Sequence, residues 1–178
     1  GLQMFLKSEN QLIVLGAPIR QRNISHFRDA GFRGYLSYPI HRSDLQHILH
    51  AAISPDYAHL DFITRHALVH ITDDGMMPVI QKHYPNCRVL VVDDHEAARE
   101  ITADIAQRLG LTVSVAEDGR AALDTVLEAE ARGKPFHLLL IDWKMPVMDG
   151  VETLRQLTAR HLVQVPAAIM VTAYGREE

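Results

Sequence analysis

Apolar positions change rhythm about halfway along the chain. From Cys87 to Val92 they run almost unbroken and rich in valine, the pattern of a strand buried on both faces of a parallel sheet. Ala97, Ala98, Ile101, Ile105 and Leu109 then recur at helical spacing, which predicts a helix over Glu96–Leu109 stopped by Gly110. The alternation continues. Leu111–Ala116 reads as a strand, and Ala121–Arg132 as a helix with Leu123, Val126 and Leu127 facing inward. Arg132–Pro135 is a turn, Phe136–Ile141 a third strand, Val151–Arg160 a helix and Ala167–Ala173 a fourth strand. Strands alternating with single helices predict an α/β fold built on a doubly wound parallel sheet.

The first half carries a weaker form of the same rhythm. Leu12–Leu15 and Gly34–Ser37 read as strands, Ser25–Ala30 as a short helix, and Ser43–Ala52 as a helix. Ser43 is placed to cap that last helix, whose apolar face is Leu45, Ile48 and Leu49. Between the halves, polar residues and prolines intervene without a strong period, so 54–86 is expected to be a linker with one short helix near Asp61–Val69. The expected organisation is therefore 1–53, a linker over 54–86, and a main domain over 87–178.

Composition narrows the function. The 178 residues carry a net charge of −4 and no basic stripe, which argues against direct nucleic-acid binding. A single cysteine, Cys87, excludes an internal disulfide framework and suits a reducing cytoplasm. No apolar run is long enough to span a bilayer, so a membrane-anchored parent would carry its anchor elsewhere. Of the 11 histidines, His47 with His50 and His66 with His70 have helical spacing. No cysteine or acidic cluster completes a zinc set around them, and they are read as a solvated face. Asp73-Asp74-Gly75 lacks the alternating oxygen ligands of a calcium loop and is read as a turn. Tyr35 and Tyr38 are read as packing or half-exposed aromatics.

Chemistry is expected at the carboxyl edge of the sheet, where open parallel sheets bind ligands. Asp93 and Asp94 follow the first strand of the second half, Asp142 ends its third, and Thr172 closes its fourth. Acidic residues also favour helix starts, so Asp93-Asp94 alone could be a cap. With Asp142 and Thr172 in register, a shared site is the better reading. Carboxylates brought together there repel one another, and a divalent cation relieves this; hard oxygen ligands select Mg2+ or Mn2+. A carboxylate beside such a cation can attack phosphorus while Thr172 binds a phosphoryl oxygen.

The segments "VLVVDDHEAARE", "LLLIDWKMPVMDG" and "IMVTAYG" resemble the first, third and fourth strand motifs of the response-regulator receiver domain, over Arg88–Glu178. That resemblance implies a flavodoxin-like sheet of strand order 2-1-3-4-5. It implies Asp142 as phospho-acceptor, and Asp93, Asp94, Asp142 and the backbone carbonyl of Lys144 as Mg2+ ligands. It further implies Pro146 and Gly150 in the closing loop, and Thr172 as the switch hydroxyl. The donor implied is a phosphohistidine domain, of a kinase or a phosphotransfer protein. The family's lysine before a proline, at the end of a fifth strand, is absent from this half, which is read as truncated after its fourth strand.

The first half resembles that missing piece from another copy. "RDAGFRGYLSYPIHRSDLQHIL" is similar to the stretch through a receiver's fifth strand and last helix, and "LIVLGAP" to its fourth strand. Gly16 stands where a threonine or serine is expected, and Tyr38 where lysine would precede Pro39. With the linker sequence "FITRHAL", the whole resembles tandem receivers, the first degenerate, in the C-terminal region of a hybrid sensor histidine kinase. The segment itself would be no kinase, although its parent would be one. The alternatives are a stand-alone response regulator, a non-phosphorylated interaction module, and an aspartate-nucleophile phosphatase. The last is disfavoured because Lys144 occupies the position of the second aspartate.

One consequence concerns folding. Ala167–Ala173 would be an exposed apolar sheet edge if the second half stood alone. The first half holds the missing kinds of element. It is expected to complete the sheet, within one chain in permuted order or between two chains as a swapped homodimer.

Overall fold

The computed structural model describes residues 21–53, 57, 60, 62–64 and 85–172. In chain order the elements are α1 (Gln21–Asp29), β1 (Gly34–Ser37), α2 (Arg42–Ile53), β2 (Arg88–Val92), α3 (Glu96–Arg108), β3 (Thr112–Ala116), α4 (Gly119–Ala131), β4 (Leu138–Ile141), α5 (Gly150–Thr158) and β5 (Ala167–Thr172). The strands form one five-stranded sheet in the order β1-β5-β4-β2-β3, every pairing parallel. Counted from β2, with β1 taken last, this is the expected order 2-1-3-4-5.

The permuted arrangement is thus present within one chain. β1 runs alongside β5 with Gly34 opposite Ile169 and Ser37 opposite Thr172. Interior β4 is buried at every position, as its unbroken apolar run requires. Alternate residues of each strand feed two cores. Leu90, Val92, Leu139, Ile141 and Met170 pack beneath α1, α4 and α5. Val89, Val91, Leu138, Leu140, Ile169 and Val171 pack beneath α2 and α3. The first half therefore contributes a helix to each face of the sheet as well as its edge strand.

Some helix ends follow from local chemistry. Asp118 caps α4 by accepting from the Ala121 N–H at 2.8 Å, and Asp149 caps α5 by accepting from Glu152 N–H at 2.8 Å. Gly110 ends the α3 connection with φ 81, a conformation that costs other residues a Cβ clash. Ser43 does not cap α2. The helix begins one residue earlier, and the Leu45 N–H bonds the His41 carbonyl at 3.1 Å.

Further expectations need correction. Residues 62–64 are extended, not helical: Ile63 bridges Gly34 in parallel, accepts from the Tyr35 N–H at 3.1 Å and donates to the Arg33 carbonyl at 2.7 Å. Ile63 is fully buried, so burying one β-branched side chain on the β1 edge outweighs the weak helical spacing. Ile101 and Ala97, two of the residues that recur at helical spacing, are exposed. His50, read as solvated, is buried with its ring 5.5 Å from Tyr57. The expected strand Leu12–Leu15, Gly16, His66, His70 and the Asp73–Gly75 turn lie outside the described residues.

Candidate functional site

Asp142 follows β4 directly, and its backbone N–H continues the ladder by bonding the Val92 carbonyl at 2.9 Å. That bond puts Asp142 level with Asp93, the first residue beyond β2. Asp93 is buried, and its Oδ1 accepts from the His95 N–H at 2.8 Å, an Asx turn leading into α3. Arg99 reaches back one turn to donate from Nη1 to the Asp93 carbonyl at 2.6 Å. Thr172, buried at the end of β5, hydrogen-bonds Asp142 from the other side. All four sequence-predicted side chains, Asp93, Asp94, Asp142 and Thr172, are therefore gathered at the carboxyl edge.

The loop after Asp142 is held by its own backbone. Gly150 N–H donates to the Trp143 carbonyl at 2.9 Å, and the Met148 N–H to the Pro146 carbonyl at 2.7 Å across Val147, whose φ is 70. Trp143 packs edge-on against Phe27 of α1, with ring centroids 5.0 Å apart. The exposed Lys144 ammonium lies 5.4 Å above the Trp143 ring.

Electrostatics mark the cluster as unsettled without a counter-charge. Burial, and then the charge of Asp93, pushes the Asp142 carboxyl up to about 6, against hydrogen bonds from Trp143 and Thr172. Asp93 is also raised by burial, partly offset by the His95 N–H and the Tyr38 hydroxyl. Asp94 Oδ1 is shielded from water and accepts no well-formed hydrogen bond, although His95 Nδ1 lies 3.0 Å away. An orphaned carboxylate oxygen beside two carboxyls of raised affinity for protons suits a hard divalent cation. Among the described residues, Asp93, Asp94 and His95 bring one ligand atom each within 4.8 Å of one another, and Asp142 lies level with Asp93 on the neighbouring strand.

Replacing Asp94 with alanine is expected to weaken Mg2+ binding by at least tenfold, and Thr172→Ala by much less. A ligand carboxylate carries charge and a hydroxyl does not. Trp143 fluorescence, one residue from Asp142, reads the titration; equal affinity in wild type and Asp94→Ala would remove Asp94 from the site.

Tyr38, expected where a receiver's lysine would stand, reaches the site as that resemblance implies, but its hydroxyl contacts were not foreseen. It follows β1, its N–H bonds the Thr172 carbonyl at 3.2 Å, and its hydroxyl lies 3.3 Å from Asp93 Oδ2 and 3.1 Å from Thr102 Oγ1. It is more than a packing aromatic. Burial holds its phenol well above the usual tyrosine range, so it remains a neutral donor. Its position at the end of Gly34–Ser37 was the available signal, because every strand of a parallel sheet delivers its next residue to the same edge. His95 and Arg99 carried no such signal. The buried Cys87 thiol, raised to about 11 by burial, is not part of the site.

Fold and site together define an open parallel α/β domain with an aspartate-lined carboxyl edge. Residues 89–178 match the response regulator receiver domain, and the chain belongs to that family. Among curated relatives it is 34% identical over 88 residues to hybrid signal transduction histidine kinase E of Dictyostelium discoideum, covering 49% of this chain and 5% of that protein. It is 27% identical over 167 residues to probable histidine kinase 2 of Oryza sativa subsp. indica, covering 82% of this chain and 15% of that protein. The chain thus spans a small fraction of these relatives. Among solved structures it is similar to the receiver domain of the histidine kinase CKI1 from Arabidopsis thaliana complexed with Mg2+ and BeF3−, at 30% identity, with 49% of this chain and 66% of that chain covered and a TM-score of 0.43. No helix among the described residues is long and apolar enough to cross a membrane.

Proposed function

We propose that this chain is a phospho-accepting module of a two-component phosphorelay, that Asp142 takes the phosphoryl group from a phosphohistidine, and that its parent is a hybrid sensor histidine kinase. The observation that carries the reading is the position of Asp142: a partly buried carboxylate at a strand end, hydrogen-bonded by Thr172 and facing Asp93 and Asp94. In the transfer, an Asp142 oxygen forms a bond to phosphorus as the bond from phosphorus to the imidazole nitrogen breaks. The electron pair of the broken bond stays on that nitrogen, and the ring leaves as neutral imidazole when its other nitrogen carries a proton. The product is an acyl phosphate. Mg2+, when bound, supplies the charge that offsets the incoming phosphoryl oxygens. Asp93, Asp94 and Asp142 would hold it, with the Lys144 carbonyl as a neutral ligand, and Thr172 would donate to a phosphoryl oxygen.

Within this reading, residues 1–53 correspond to the C-terminal half of a degenerate receiver, 54–86 connect the halves and 87–178 carry the phospho-accepting motifs, the first half supplying the last strand of the shared sheet. Tyr38 supplies a hydroxyl but no positive charge to the phosphorylated site, so labelling should be slow compared with a site that carries a cation there. Incubating the chain with a small phosphodonor and Mg2+ tests the proposal. One base-labile phosphate per chain is expected. Continuous turnover of donor would favour a phosphatase, and no label at all an interaction module.

A further inference from the structure

Tyr38 ties together parts of the molecule that are far apart in sequence. Its N–H is bonded to the end of β5, while its hydroxyl reaches Asp93 beyond β2 and Thr102 of α3. Between β1 and β2 lie the two strands β5 and β4, so the side chain leans back across the carboxyl edge of the sheet.

The hydroxyl has one proton and three oxygens within reach: Asp93 Oδ2 at 3.3 Å, Thr102 Oγ1 at 3.1 Å and the Ala98 carbonyl at 3.5 Å. A charged acceptor takes the stronger hydrogen bond, so the proton belongs to Asp93. Thr102, 1% exposed, then donates to the Tyr38 oxygen, and the chain runs Thr102 to Tyr38 to Asp93. With His95 N–H on Oδ1 and Tyr38 on Oδ2, both oxygens of Asp93 accept a bond that fixes the carboxylate plane. Groups that orient a metal-binding carboxylate in this way raise its affinity for the metal.

We infer that Tyr38 is a positioning residue for the cation site, and that through it cation binding and the seating of β1 against β5 strengthen one another. The inference rests on the proposed cation site at Asp93, Asp94 and Asp142. If β1 lifts from β5, Tyr38 leaves with it and Asp93 loses the donor on Oδ2. The seated form then binds the cation more tightly, and by linkage the cation must favour the seated form by the same factor. The first half of the chain therefore reports its position to the phosphorylation site through one hydroxyl.

The test uses the full chain and Mg2+ as the probe. Tyr38→Phe keeps the ring and removes the hydroxyl, and is expected to weaken Mg2+ binding about tenfold by Trp143 fluorescence. In the wild type, saturating Mg2+ is expected to slow amide hydrogen exchange over residues 34–38, and in Tyr38→Phe this extra protection should largely disappear. A merely structural role would change exchange equally with and without Mg2+. Should Tyr38→Phe fold poorly, Thr102→Val removes the donor to the Tyr38 oxygen and is expected to weaken binding about threefold. Wild-type affinity and wild-type Mg2+-induced protection in the variant would overturn the inference and leave the cation site standing. Absence of Mg2+ binding by the wild type would overturn both.

Discussion

Asp142→Asn is expected to abolish phosphate labelling and, at the same time, to make the cation-free protein more stable at pH 7. The first effect follows from losing the nucleophile while keeping the side-chain shape; persistent labelling would place the acceptor elsewhere. The second follows from the proton affinity of the site. The folded Asp142 carboxyl sits at about 6, above its ordinary value of 3.8. Between these values the folded state holds more protons than the unfolded state, so stability falls as pH rises through the window. Above it the full penalty is present. Asparagine removes it, a gain of about 1 kcal/mol once the partial exposure of Asp142 is discounted. For a chain of this size that is about 2–4 °C in Tm. Thermal melts in chelator at pH 5 and pH 7.5 should show a wild-type Tm that drops with rising pH and a flatter variant. Asp93, raised for the same reason, will retain part of the slope. Added Mg2+ should stabilise the wild type more than the variant, because only the wild type keeps all its charged ligands. A variant less stable than wild type in chelator would show that the cluster is not strained by its own charge.

Gly150→Ala is expected to destabilise the protein by about 2 kcal/mol, within the range for overpacking a filled site. Gly150 opens α5, and alanine is ordinarily the better helix residue by about 1 kcal/mol. Here sterics win. A Cβ would stand 2.4 Å from the Asp142 carbonyl oxygen and 3.4 Å from Ile141 Cγ1, and the closer neighbour is backbone that cannot rotate away. Relief requires the loop from Trp143 to Asp149 to move off Asp142, which also moves the Lys144 carbonyl. The variant should therefore lose about 4–8 °C in Tm and bind Mg2+ more weakly. An unchanged or raised Tm would mean that helix propensity outweighs the contact and that the loop yields freely.

What the sequence by itself determined is what depends on neighbouring residues. The apolar runs of β2 and β4, the helical spacing between them, and Asp93, Asp94, Asp142 and Thr172 at strand ends are local features. In a parallel sheet each strand end lies on one edge, so placing the strands also placed the chemistry. The loop glycine at Gly150 was legible as well, although the reason for it, contact with the Asp142 carbonyl, was not. Tertiary structure decided the rest. Whether Gly34–Ser37 joined β5 in the same chain or in a second copy turns on long-range pairing that periodicity cannot express. Residues 62–64 became a sheet-edge segment because β1 left its outer edge unpaired, a demand invisible from the segment's own residues. His50 is buried with its ring against Tyr57, which lies beyond the end of α2, a contact that its spacing to His47 did not show. The role of Tyr38 needed the most: its hydroxyl meets Asp93 only after β1, from the first half, lines up with β2, from the second.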